Sequence, residues 1–235
     1  MRLHRFYVGE IKDKAGPLEL DKNFWVHDKN LISQWLNVLR YRVDDQLVLF
    51  NDQTERIYKI TKIEAPHSIN LELITEQKRI LPKKHVYLMW GILKKDKNDF
   101  VLQKATELGV RNFVPLITSR SQKKDINIER AKKIIKEASE QCGRSDIPEI
   151  REPITLHEAL NEYTEFPLFV CQKTDIYQDK LQNIDKFGLL IGPEGGWSDA
   201  EIMQFKTHKL KTINIADFTL RAETAAIIAV AKLLQ

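Results

Sequence analysis

From His85 onward, short apolar runs alternate with stretches that carry an apolar stripe at helical spacing. HVYLMWGI, NFVPLI, FPLFVC, FGLLI and TINIA are near-continuous apolar runs, the pattern of strands buried on both faces. Between them, Ala131, Ile134, Ile135, Ala138 and Cys142 mark one helical face, closed by Gly143 in the place of a C-terminal cap. Val101, Leu102, Ala105 and Leu108 do the same before Gly109. Ser198-Asp-Ala-Glu201 is a capping-box pattern that opens a further helix. Such alternation predicts an α/β domain, its sheet mostly parallel and covered by helices on both faces.

The first 75 or so residues have a different texture. Arg2 to Val8, Asn23 to His27, Gln46 to Asn51, Tyr58 to Glu64 and Asn70 to Thr75 are short runs rich in apolar and β-branched residues and predict strands. Asn51-Asp52-Gln53-Thr54 reads as a turn between two of them. One helix is predicted from Asp28 or Lys29 to about Arg40, with Leu31, Ile32, Trp35, Leu36 and Leu39 on one face. Together these predict a small β-barrel. The polar stretch Glu76 to Lys84 sets a boundary near residues 75–82, giving domains of 1–75 and 76–235.

Hydrophobic residues at 43% and charged ones at 30% of 235 exclude a disordered chain. The longest stretch free of Asp, Glu, Lys and Arg is the ten residues from Asn30 to Leu39, short of the roughly 20 that span a bilayer. MRLHRFYV runs directly into alternating apolar residues without the apolar core of a signal peptide, so a cytoplasmic chain is expected. Two cysteines, Cys142 and Cys171, exclude a disulfide scaffold and a cysteine-based zinc site. The histidines, at positions 4, 27, 67, 85, 157 and 208, lack ligand spacing, and no metal is expected. Net charge is +4, but residues 78–144 hold 17 Lys and Arg against 7 Asp and Glu, a local +10. A basic segment suits a phosphate-rich partner, although the same lysines on helix surfaces would serve solubility.

Ligands of open α/β sheets bind in loops at the carboxyl ends of strands, and three such loops stand out. They are Cys171-Gln172-Lys173-Thr174, Gly192-Pro193-Glu194-Gly195-Gly196 and Ala216-Asp217-Phe218-Thr219-Leu220-Arg221. The second is neither a dinucleotide fingerprint nor a P-loop. Pro193 removes a donor and Glu194 adds negative charge, so it makes a poor phosphate cradle. Its glycines permit either close approach to a bulky uncharged or cationic ligand or simply a tight connection. Cys171 at a strand end reads as a small hydrophobe, and no nucleophile setting of the G-x-S-x-G kind occurs. In the C-terminal helix, Ala222, Ala225, Ala226 and Ala229 predict close packing. Glu223 suits the helix N-terminus, whereas Arg221 there is either held by a carboxylate or a functional cation.

KKDKNDFVLQKATELGVRNFVPLITSRS (94–121), EASEQCGR…IP (137–148), IGPEGGWSDAEI (191–202) and LRAETA (220–225) fall in the order and spacing of one family. The chain resembles the ribosomal RNA small subunit methyltransferase E family, whose SPOUT-class members methylate N3 of a uridine in 16S ribosomal RNA. RFYV and His27…NVLR extend the likeness over nearly the whole chain.

That resemblance implies a PUA-like, RNA-binding β-barrel over 1–75 and a SPOUT α/β domain with a trefoil knot over 76–235. It also implies a cytoplasmic homodimer acting on 16S ribosomal RNA, within the small ribosomal subunit, with S-adenosyl-L-methionine as cofactor and no metal. The cofactor walls carried over are Cys171, Gln172, Gly192, Pro193, Gly195, Gly196, Ala216, Thr219 and Leu220. Arg221 is the expected electrostatic catalyst, with Glu223 or Glu194 as the base. Expected RNA contacts are Arg2, Arg5, Arg40, Lys94, Lys95, Lys97, Arg120, Lys123, Lys124 and Arg144. The chain departs from the family where Ala216 stands for a glycine, Phe218 for an arginine, Thr219 for an isoleucine and Asp44 for a glycine. A methyltransferase of the same architecture acting on another nucleotide or another RNA, and an RNA-binding protein without catalysis, share these residues.

Overall fold

The computed structural model describes residues 3–13, 16–173 and 184–234. Its contacts divide into two units, one of 1–81 with 139–146 and the other of 82–138 with 147–235.

The first unit is built on a five-stranded sheet. Its strands are β1 (Arg5–Tyr7), β4 (Asn23–Val26), β5 (Gln46–Phe50), β6 (Glu55–Glu64) and β7 (Ser68–Gln77), in the order β1-β5-β6-β7-β4. A small ladder of β2 (Lys12–Asp13) and β3 (Gly16–Pro17) stands apart. Only β1 and β5 pair in parallel; the rest is antiparallel, with β6 and β7 forming a long hairpin. The expected helix begins at α1 (Lys29–Ser33), whose N-cap Asp28 accepts from Leu31 N at 2.8 Å. It continues to Val38 as π-helical turns that bury Trp35. Trp35, Phe6, Leu47, Leu49, Tyr58 and Ile60 are core residues of this unit.

The second unit carries a seven-stranded sheet in which every pairing is parallel. Its strands are β8 (His85–Gly91), β9 (Asn112–Ile117), β10 (Glu149–Ile150), β11 (Ile154–Thr155), β12 (Leu168–Cys171), β13 (Lys186–Ile191) and β14 (Lys211–Ile213). The order is β10-β9-β8-β13-β12-β14, with β11 also on β9. The helices are α2 (Lys95–Glu107), α3 (Ile128–Cys142), α4 (Leu156–Glu162), α5 (Asp199–Thr207) and α6 (Ala222–Leu234).

Strand periodicity sends alternate residues to opposite faces. Val86, Leu88 and Trp90 of β8, Phe169 and Cys171 of β12, and Leu189 and Ile191 of β13 pack with residues of α2, α3 and α6. Met89, Val170 and Leu190 pack with residues of α4 and α5 on the other side. The predicted stops are present: Gly109 has φ +101° and Gly143 φ +91°, a region costly for side chains with a Cβ. The Ser198–Glu201 capping box is formed in both directions. Among the described residues no helix is long and apolar enough to cross a membrane.

Candidate functional site

Because β13, β12 and β14 are neighbours and parallel, their carboxyl ends lie side by side. The three loops singled out in the sequence leave from those ends and enclose one cavity of about 440 Å³ with the first turn of α6. Cys171, Gln172 and Lys173 form one wall; Gly192, Pro193, Glu194, Gly196 and Trp197 a second; Asn214 to Ala216 and Phe218 to Leu220 a third. Arg221, Ala222 and Ala225 close it, and Lys97 reaches it from α2.

Local bonding fixes each wall. Gly196 N donates to Pro193 O at 2.8 Å, and Gly196 itself sits at φ +67°. A Cβ on Gly192 would come within 3.2 Å of Trp197 Nε1. Trp197 is buried and meets Phe205 edge-on, centroids 5.0 Å apart. Lys232 donates from α6 to Ile215 O at 2.8 Å, and Gln172 N donates to Ile213 O at 3.2 Å, tying the third wall to its neighbours. The loop before α2 is held by Asn98, only 4% exposed, which accepts from Trp90 Nε1 at 2.9 Å and Leu93 N at 3.1 Å and donates to Leu93 O at 2.8 Å. That clamp places its neighbour Lys97 at the cavity.

Lys97 Nζ lies 3.1 Å from Glu194 Oε1 and 3.6 Å from Glu223 Oε2. The hydrogen bond to Glu194 raises the lysine above its ordinary pKa. Burial opposes ionisation of Glu194, yet its own backbone N–H and Lys97 prevail and hold the carboxyl below the usual range. Among the described residues Glu223 Oε2 is buried without a hydrogen-bond partner, and Glu223 is not among those facing the cavity. Burial pushes the Cys171 thiol up to about 12, so it is neutral and no nucleophile at physiological pH. Arg221 is exposed, and among the described residues its guanidinium has no ion-pair or hydrogen-bond partner. Among the described residues no carboxylate pairs with it.

The expected sites separate into groups. Cys171, Gln172, Gly192, Pro193, Gly196, Ala216, Thr219, Leu220 and Arg221 share the cavity. Gly195 packs on Arg120, whose Nη1 donates to Gly195 O at 3.1 Å, and is not among the residues lining the cavity. Arg5 and Arg144 both lie in internal ion pairs. Arg5, with a side chain 10% exposed, pairs with Glu55, and Arg144, 5% exposed, pairs with Asp146 at 2.8 Å. Lys97 is likewise engaged by carboxylates. Arg40, Lys94, Arg120, Lys123 and Lys124 are exposed; Arg2 and the side chain of Lys95 lie outside the described residues. Sequence reasoning missed Trp197, and also Asn214 and Ile215, because the TINIA run ends as a strand at Ile213.

Residues 80–234 match the family model of an RNA methyltransferase domain, and residues 36–74 that of an RNA methyltransferase PUA domain. The ribosomal RNA small subunit methyltransferase E of Rickettsia conorii is 31% identical over 240 residues, covering 99% of this chain and 95% of that protein. The chain belongs to the ribosomal RNA small subunit methyltransferase E family. The family's member in Mesomycoplasma hyopneumoniae is 28% identical and covered to 98%, as is this chain. Among solved structures, a ribosomal RNA small subunit methyltransferase E from Neisseria gonorrhoeae bound to S-adenosyl methionine superposes with a TM-score of 0.84 at 27% identity, covering 98% of this chain and 96% of that one. The family read from the sequence motifs is therefore confirmed, and with it a PUA-like unit followed by a SPOUT-type parallel sheet.

Proposed function

We propose that this chain methylates N3 of a uridine in 16S ribosomal RNA, with S-adenosylmethionine as donor held at the ends of β12, β13 and β14. The observation that carries the reading is Arg221, exposed and unpaired among the described residues, on the rim of a cavity walled by apolar side chains, glycine backbone and the polar side chains of Gln172, Asn214 and Thr219, with Glu194 and Lys97 paired at its edge. About 440 Å³ lies within the range of small-cofactor sites. Gly192 keeps one wall open where a side chain would press on Trp197. Gln172 and Asn214 supply polar side chains, and Pro193, Ile215 and Leu220 supply apolar surface, a donor set suited to a nucleoside carrying an amino acid.

When bound, that group supplies a methyl already activated on a sulfonium. A covalent intermediate on the protein is then unnecessary, in keeping with the neutral, buried Cys171. Uracil N3 carries a proton that must leave before the nitrogen can attack in line. Arg221 stabilises the negative charge that spreads to the adjacent carbonyl oxygens as it does so. Glu194 faces the same cavity and is kept ionised by Lys97; with its basicity so reduced, it takes a proton only from a base that Arg221 has acidified. Glu223 balances Lys97 from the other side. Holding N3 in place is worth up to roughly 7–11 kcal/mol.

Arg40, Lys94, Arg120, Lys123 and Lys124 are assigned to RNA phosphates. The same reading includes the small ribosomal subunit as substrate, a cytoplasmic homodimer, a knotted C-terminal segment, and division of labour between a barrel of 1–75 and a catalytic domain of 76–235. Arg221→Ala tests the reading: turnover should fall about 10²–10³-fold while calorimetric affinity for S-adenosylmethionine is unchanged. Full activity in the variant overturns the role of Arg221. Failure of the unaltered protein to bind the donor overturns the reading in favour of RNA binding without catalysis.

A further inference from the structure

Phe218 is 83% exposed, more than any other large apolar side chain among the described residues. Its segment is nonetheless tied down. Lys232 holds Ile215 O at 2.8 Å, Asn214 Oδ1 accepts from Ala216 N at 3.4 Å, and α6 begins four residues later at Ala222. Phe218 also faces the same cavity as Thr219 and Arg221. A ring on an anchored segment, directed to solvent at a cavity rim and close in the chain to a guanidinium that is unpaired among the described residues, is built to receive something flat. Proteins that read unpaired RNA stack bases on aromatic faces and contact the base edges with polar or cationic side chains. Enzymes that act on a base must also take it out of its stack and hold it.

We infer that Phe218 is the stacking platform for the target base, so that Phe218 grips one face of the pyrimidine while Arg221 meets its carbonyl edge. The inference rests on the methyl-transfer reading and adds the residue that positions the substrate. Phe218 stands where the donor's cavity opens to solvent, so its ring can meet the base at the rim. Stacking of one base on an aromatic ring corresponds to roughly 5- to 150-fold in affinity.

The test compares the full-length protein with Phe218→Ala, Phe218→Leu and Phe218→Trp. Each is assayed for methyl transfer to small ribosomal subunits lacking the modification, for calorimetric binding of S-adenosylmethionine, and for mass by light scattering. The expected result is a KM for subunits raised roughly 5- to 150-fold in the alanine variant, with mass unchanged and any loss of donor affinity smaller than the rise in KM. Tryptophan should restore the KM and leucine should not, since leucine keeps the apolar bulk but lacks a π-face. Quenching of the new indole's fluorescence on adding subunits would support the contact directly. The inference is overturned if the alanine KM is unchanged, if leucine rescues as well as tryptophan, or if the alanine variant changes mass, which would make Phe218 a contact between copies of the chain. If the unaltered protein transfers no methyl group, the underlying reading fails and takes this one with it; transfer with an indifferent Phe218 overturns the inference alone.

Discussion

Replacing Glu55 by glutamine removes the negative half of a buried ion pair while keeping its shape. Glu55 is 2% exposed and accepts from both terminal nitrogens of Arg5, one of them at 3.0 Å, and from Ser145 Oγ. Ser145 Oγ also accepts from Ile80 N at 2.7 Å, and Arg5 Nη2 donates to Arg144 O at 3.2 Å, so one carboxylate gathers β1, β6 and the 139–146 segment of the first unit. Breaking one side of a buried pair costs roughly 3–5 kcal/mol, because the remaining charge is left uncompensated. Arg5 keeps its bond to Arg144 O and its place 4.9 Å over the Phe50 ring, which points to the lower end, about 3 kcal/mol. In a domain of under about 100 residues each kcal/mol moves the midpoint by roughly 4–8 °C, so the unit's transition should fall by roughly 12–24 °C. Calorimetry measures this directly, and Arg5→Gln should produce a drop of the same order, whereas Arg40→Gln, at an exposed position, should not. A shift of only a degree or two in both network variants would refute the reasoning. So would an Arg5→Gln protein that melts normally and binds RNA poorly, since that would return Arg5 to the phosphate surface.

Other consequences are open to direct measurement. Gly192→Val would set methyl groups against Trp197 and into the cavity, so donor affinity should drop at least tenfold by calorimetry, about 1.4 kcal/mol, in a protein that still folds; undiminished affinity would remove this wall from the site. Iodoacetamide at pH 8 followed by peptide mass spectrometry should label half-buried Cys142 before buried Cys171, whose thiol lies at about 12, and the reverse order would contradict the placement. Raised thiol and phenol pKa values at Cys171 and Tyr58, both about 12, give stability that is intact below the unfolded values of roughly 8.5 and 10 and lost as pH climbs toward 12. Cys171→Ala should therefore flatten part of the alkaline decline in chemical denaturation. RNA affinity should fall with salt, and Lys123→Gln and Lys124→Gln should each lower the slope of log K against log salt by about 1, with Arg144→Gln instead losing stability.

The parallel sheet was legible because both faces of its strands are buried, which leaves apolar runs such as FGLLI almost without polar interruption. Helix ends were legible for a local reason: Gly109, Gly143 and the Ser198–Glu201 box act within a few residues of themselves. The three loops could be ranked as a site because parallel strands deliver their carboxyl ends to one edge, although the adjacency of β13, β12 and β14 is a non-local fact. Pairings across long separations were not legible. Arg5 finds Glu55, 50 positions away, and Lys97 finds Glu194, 97 positions away. In sequence Lys97 is one more cation of the basic segment, and Arg5 is one of two arginines at the start of the chain. The assignment of 139–146 to the first unit is of the same kind, since α3 carries one continuous apolar stripe to Cys142. For Arg221 the unfavourable helix terminus left two readings open, a carboxylate partner or a functional cation, and the described residues provide no such carboxylate.

The central claim is the chemistry at uracil N3, and one measurement addresses it most directly. Small ribosomal subunits lacking the modification are incubated with the protein and isotopically labelled S-adenosylmethionine, and the RNA is digested to nucleosides for mass spectrometry. The account predicts label in N3-methyluridine and in no other nucleoside. Label in a ribose-methylated or other base-methylated nucleoside, or none at all while donor and RNA both bind, would contradict it.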